Sequence, residues 1–99
     1  MKEIKGVIVP ILTPMREDGT INSEELVNQI ERLIDAGIHG IFVLGTNGEG
    51  YILDEDEKTE VIRVAVNTVN GRVPVYAGTG CVSTRDTVRM SRKAKELGA

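Results

Sequence analysis

Residues 40–50 read Gly40-Ile41-Phe42-Val43-Leu44-Gly45-Thr46-Asn47-Gly48-Glu49-Gly50. The first five form a continuous apolar run with no polar alternation, the pattern of a strand buried on both faces. The next six are rich in Gly, Thr and Asn. Glycine lets backbone N–H groups come close to a ligand, and Thr and Asn add neutral donors. Such a loop suits a carboxylate, which needs several donors but not a full positive charge. A plain strand-to-helix turn is the competing reading, because turns favour the same residues. Phosphate fits less well. No Gly-Lys-Ser/Thr is present, the glycine order is not that of a dinucleotide fingerprint, and Glu49 would repel a pyrophosphate.

Two similar runs flank this one: Gly6-Val7-Ile8-Val9-Pro10 and Val73-Pro74-Val75-Tyr76-Ala77. A helix pattern follows each of the three. Asn22 or Ser23 can cap the first, with Glu25 able to reach back; Leu26, Ile30, Leu33 and Ile34 share one face, and Gly37 ends it. Asp54 and Glu57 form a capping-box pattern for the second, followed by Val61, Ile62, Ala65, Val66 and Val69 and closed by Asn70-Gly71. Ser83 or Thr84 can cap the third, whose apolar stripe is Val88, Met90, Ala94 and Leu97. Strand-to-strand spacings of about 33 residues require crossover connections and predict a parallel sheet. No internal repeat, linker or low-complexity stretch divides residues 1–99, so they form one small domain or part of a larger one.

The loops are unequal. Those after helices are short, as at Gly37-Ile38-His39 and Asn70-Gly71-Arg72. Those after strands are longer and carry Thr13, Thr46, Asn47 and Thr79. In parallel α/β folds function sits in the loops at the strands' C-terminal ends, which makes these four the first candidates.

Composition narrows the classes. Net charge is −3, which argues against nucleic acid, and the cluster Arg85, Arg89, Arg92, Lys93 and Lys95 reads as the solvated face of a helix. No apolar run approaches the length needed to cross about 30 Å of hydrocarbon, and no secretory leader is visible. A single Cys, Cys81, fits a reducing cytoplasm. His39 falls in a loop away from the candidate face, and no metal site is expected. The acids Asp54 to Glu57 are accounted for by a helix N-terminus, where negative charge is favoured. Gly78-Thr79-Gly80 reads either as a tight turn leading to a helix cap or as a second ligand contact. Cys81 lies near a helix start but has no His close in sequence to activate it.

Four stretches occur in order: Pro10-Ile11-Leu12-Thr13-Pro14-Met15, Asp18-Gly19-Thr20-Ile21-Asn22, Gly45-Thr46-Asn47-Gly48-Glu49 and Ala77-Gly78-Thr79-Gly80. Together they resemble the dihydrodipicolinate synthase/N-acetylneuraminate lyase family of pyruvate-dependent class I aldolases. The resemblance covers the whole chain and about the first third of a typical member. It implies an α/β fold, the N-terminal three βα units of a (β/α)₈ TIM barrel with parallel strands. It also implies a lyase without a cofactor, which condenses pyruvate with an aldehyde or releases it, and a homo-oligomer in the full-length form. A lysine forms an imine with the pyruvate keto carbon, and loss of a proton then gives an enamine nucleophile. By resemblance Thr46 belongs to a proton relay with two tyrosines, and Asn47 holds the pyruvate carboxylate through its side chain and backbone N–H. Asn47 departs from the family's usual Thr, but an amide still donates to a carboxylate.

The family's imine lysine lies on a sixth strand. Lys2, Lys5, Lys58, Lys93 and Lys95 are the lysines here, and none falls at a strand's C-terminal end. The chain alone is therefore expected to be inactive. Lysine-inhibited synthases usually carry Asn two positions beyond Gly-Thr-Gly; Val82 stands there, so feedback of that kind is not expected. Two other classes remain open: a non-catalytic truncated barrel acting as an assembly or binding module, and a small flavodoxin-like domain binding an anion at residues 45–50.

Overall fold

A computed structural model describes residues 6–45, 53–81 and 83–99. Three strands and three helices alternate: β1 (Ile8–Pro10), α1 (Ser23–Asp35), β2 (Gly40–Val43), α2 (Glu55–Val69), β3 (Val75–Ala77) and α3 (Thr84–Leu97). The sheet is parallel, in the order β1-β2-β3, with Val9 opposite Ile41 and Phe42 opposite Tyr76. Helix α2 lies between α1 and α3.

Each strand is shorter than its apolar run, for a local reason. Gly6 has a positive φ of 69°, and the Val7 N–H donates to His39 Nδ1 rather than to a ladder carbonyl, so β1 starts at Ile8. Pro74 has no N–H to give a ladder, although its carbonyl accepts from the Ile41 N–H at 3.1 Å, and β3 starts at Val75. β2 stops at Val43 because Leu44 turns into the left-handed region at φ 62°.

The helix caps follow the sequence signals. Asn22 accepts from the Glu25 N–H. Asp54 accepts from the Glu57 N–H at 2.8 Å while Glu57 accepts from the Asp54 N–H at 3.0 Å, completing the capping box. Ser83 accepts from the Asp86 N–H at 3.1 Å. At the C-termini, Asn70 and Gly98 are left-handed, and Gly37 follows α1 with φ 87°.

The core joins one face of the sheet to the helices. Ile11, Ile41 and Val43 from the β1 and β2 segments meet Leu26 and Ile30 of α1, Val61, Ile62, Ala65 and Val69 of α2, and Met90 and Ala94 of α3. Fully burying one such large aliphatic side chain stabilises by about 1.5–3 kcal/mol. Val88 departs from the expected stripe: it is 43% exposed. Met90 and Ala94 are four apart and point inward, whereas Val88 shares its turn with Arg85, Arg89 and Arg92 on the outer side. The second sheet face carries Ile8, Pro10, Phe42 and Tyr76, which lie outside the core cluster. Strands expected to be buried on both faces are thus covered by helices on one face. Tyr76 and Ile8 close over Gly40, where a Cβ would lie 3.1 Å from the tyrosine ring and 3.2 Å from Ile8 Cγ1.

Candidate functional site

Parallel pairing brings three strand ends to one rim: Ile11 to Thr13, Leu44-Gly45 and Gly78 to Cys81. Backbone bonds join them. The Ile11 N–H donates to Phe42 O at 3.0 Å, and the Gly78 N–H donates to Val43 O at 2.9 Å. His39 sits at the opposite rim, where its backbone N–H donates to Val7 O and its ring packs beneath Gly6. Its Nδ1 is occupied by Val7, as expected of a histidine with a structural role.

Beside Thr13, which is 8% exposed, the β1–α1 connection folds back on itself. Met15 bridges Ile21 antiparallel, and Arg16 Nη1 donates to Ile21 O at 3.0 Å. Asp18 accepts from both the N–H and the hydroxyl of Thr20. The hydroxyl bond, at 2.6 Å, is the main cause that holds its carboxyl below the usual range. Gln29 of α1 reaches the start of this loop; its amide donates to Leu12 O and accepts from Leu12 N–H. The Asp18-Gly19-Thr20-Ile21-Asn22 stretch therefore does structural work as a self-bonded turn that delivers Asn22 to its cap.

Thr79 does not offer a free hydroxyl, since its Oγ1 lies 2.7 Å from Ser91 Oγ of α3. The Gly78-Thr79-Gly80 turn leads to the Ser83 cap, which favours the turn reading over direct ligand contact. Cys81 has a partner that no sequence spacing indicates. Lys58 Nζ lies 3.9 Å from its Sγ, and the thiol donates to Thr79 O at 3.4 Å. The two line a cleft of about 460 Å³ with Glu55, Asp86 and Arg89. Arg89 there donates to Glu55 Oε1 at 2.8 Å and meets Asp86 at 3.0 Å; the Glu55 bond chiefly raises its pKa. Asp54 and Glu57 are thus spent on capping and Glu55 on this ion pair. Among the described residues no group of three or more His, Cys, Asp or Glu is placed to hold a metal ion.

Thr46 and Asn47 lie outside the described residues, as does Val82. The residue before them, Gly45, stands at the rim opposite His39. Two residues that carry this corner, Phe42 and Leu44, were not singled out from sequence. A leucine inside an apolar run signals burial but gives no sign of a left-handed turn. The described lysines, Lys58, Lys93 and Lys95, all lie on helices. No helix among the described residues is long and apolar enough to cross a membrane.

Similarity to known proteins agrees with this geometry. The sequence profile of the Dihydrodipicolinate synthetase family matches residues 3–99. The chain is 48% identical over 95 residues to a 4-hydroxy-tetrahydrodipicolinate synthase of Pelobacter propionicus, covering 96% of this chain and 32% of that one. It is 38% identical over 104 residues to a trans-O-hydroxybenzylidenepyruvate hydratase-aldolase of Sphingobium xenophagum, covering 98% and 32%. The chloride-inhibited dihydrodipicolinate synthase of Acinetobacter baumannii, solved with pyruvate, superposes with a TM-score of 0.94 at 40% identity, covering 98% and 33%. The chain spans about a third of the length of the curated relatives it matches. Its three parallel βα units correspond to the N-terminal part of their barrel, and the chain belongs to the dihydrodipicolinate synthetase family.

Proposed function

We propose that this chain supplies the N-terminal part of an imine-forming, pyruvate-dependent lyase, with Thr46 and Asn47 as its contribution to the site. The observation that carries this is the parallel rim. Residues 46 and 47 follow Gly45 in sequence, and Gly45 stands at a rim where three strand ends lie together, opposite His39. Asn47 donates to the carboxylate of a 2-oxo acid through its amide and backbone N–H. The Thr46 hydroxyl passes the proton that the substrate must gain or lose as imine becomes enamine. The imine lysine comes from outside residues 1–99, because Lys58, Lys93 and Lys95 lie on helices and not at a strand's C-terminal end. The relatives include a synthase and a hydratase-aldolase, so the second substrate is chosen by other parts of the barrel. A cytoplasmic homo-oligomer that uses no cofactor completes the proposal.

The test joins residues 1–99 to the remaining two thirds of the Pelobacter propionicus synthase. The chimera is incubated with pyruvate and borohydride and its intact mass is measured. Formation of a reduced pyruvate adduct, with turnover when an aldehyde is added, is the expected result. A chimera that folds cooperatively yet traps no pyruvate would overturn the proposal.

A further inference from the structure

We infer that Leu44, clamped by Gly78 and Phe42, is a positioning residue that fixes the Leu44–Gly45 peptide from which the chain enters the proposed site; this rests on the function proposed above. Successive strand side chains point to opposite faces, yet Val43 and Leu44 both enter the same core, at 0% and 5% exposure. The positive φ of 62° at Leu44 makes this possible. Glycine or asparagine is the ordinary occupant of that conformation. A leucine holds it because its side chain is buried among apolar neighbours, which offsets the unfavourable backbone.

Two further contacts fix the Leu44–Gly45 peptide. A Cβ on Gly78 would stand 2.5 Å from Leu44 O, 3.0 Å from Leu44 C and 3.4 Å from Gly45 N, so the backbone leaving β3 lies flat against this peptide. The Gly78 N–H bond to Val43 O prevents it from drawing away. On the other side, a Cβ on Gly45 would stand 2.8 Å from Phe42 Cε1. The peptide is held by the core through the Leu44 side chain, by the Gly78 backbone and by the Phe42 ring. Gly45 is bonded directly to Thr46, and displacements of about 1 Å at a reacting centre cost on the order of a hundredfold in rate.

In the chimera, Leu44→Asn tolerates the left-handed turn but removes the apolar anchor, Leu44→Met keeps the anchor, and Gly78→Ala pushes on the peptide. Leu44→Asn and Gly78→Ala are expected to lower kcat about tenfold or more. Leu44→Met is expected to stay within about twofold of the parent. Lowered melting temperatures with kcat unchanged in Leu44→Asn and Gly78→Ala would show Leu44 to be core filling only and overturn the inference. If the parent chimera folds but traps no pyruvate, the functional proposal fails separately. The inference is then decided by amide NMR of the labelled chimera. Gly78→Ala moving the Gly45 signal while α1 signals stay in place supports it, and an unmoved Gly45 signal refutes it.

Discussion

Arg72 grips Glu31 across 41 positions of sequence, Nη2 to Oε1 at 2.7 Å and Nη1 to Oε2 at 3.2 Å. The same guanidinium donates to Thr68 O and Val69 O at the end of α2. One side chain therefore ties the α2 C-terminus, whose carbonyls lack helical partners, to the middle of α1.

This pairing predicts a pH dependence. The bond from Arg72 is the main cause that holds the Glu31 carboxyl below its ordinary value of 4.5. A carboxyl whose folded pKa is depressed contributes stability above its unfolded pKa and loses it as pH falls through the folded one. Glu31→Gln should lower the urea midpoint at neutral pH, and the difference should shrink as pH falls through the depressed folded-state pKa of Glu31. Both groups are substantially exposed, so the effect at neutral pH should be small and should shrink in high salt. A midpoint difference between parent and variant that persists unchanged at the acid end would show that the carboxylate charge is not responsible.

Asp54 closes a reciprocal box with Glu57 at the start of α2. Asp54→Ala should cost about 1 kcal/mol in chemical denaturation, and Asp54→Ser should recover most of it. The check is the pair of unfolding curves. Equal stability of Asp54→Ala and parent would mean that the helix start is held by packing of Leu53 and Val61 alone.

Among the described residues, Ile8, Phe42 and Tyr76 on one sheet face lie outside the core cluster, and Leu12 at the top of β1 is 62% exposed. Unpaired strand edges and an uncovered apolar face favour association. The isolated 99-residue chain should therefore elute from size exclusion at a volume that depends on concentration, and Phe42→Lys should shift it towards monomer. A sharp monomeric peak at all concentrations, with a cooperative melt, would contradict this.

Much of this architecture was legible in the sequence because its signals are local. Asn22, Asp54 and Ser83 each stand one residue before their helix and accept the expected N–H. The uninterrupted apolar runs and the long spacing between them indicated parallel strands, and the loop asymmetry pointed to the rim where their C-terminal ends lie together. Relations that depend on tertiary contact were not legible. Nothing in Val-Leu-Gly marks Leu44 as left-handed, and no spacing brings Lys58 to Cys81 or Arg89 to Glu55. Val88 fell in the expected stripe only because helical periodicity is read to within about one residue, and its neighbours decide which side of the boundary it takes.

The central claim is that Thr46 and Asn47 meet the 2-oxo acid. It is tested most directly by steady-state kinetics of the chimera carrying Thr46→Val or Asn47→Ala, each first shown to melt like the parent. Thr46→Val should lower kcat by about 10²–10⁴, the span of a lost general acid–base contact. Asn47→Ala should act mainly on KM for pyruvate, raising it about tenfold or more as a charge-assisted hydrogen bond is removed. Parent-like kcat in the first variant together with parent-like KM in the second would place the chemistry elsewhere on the barrel.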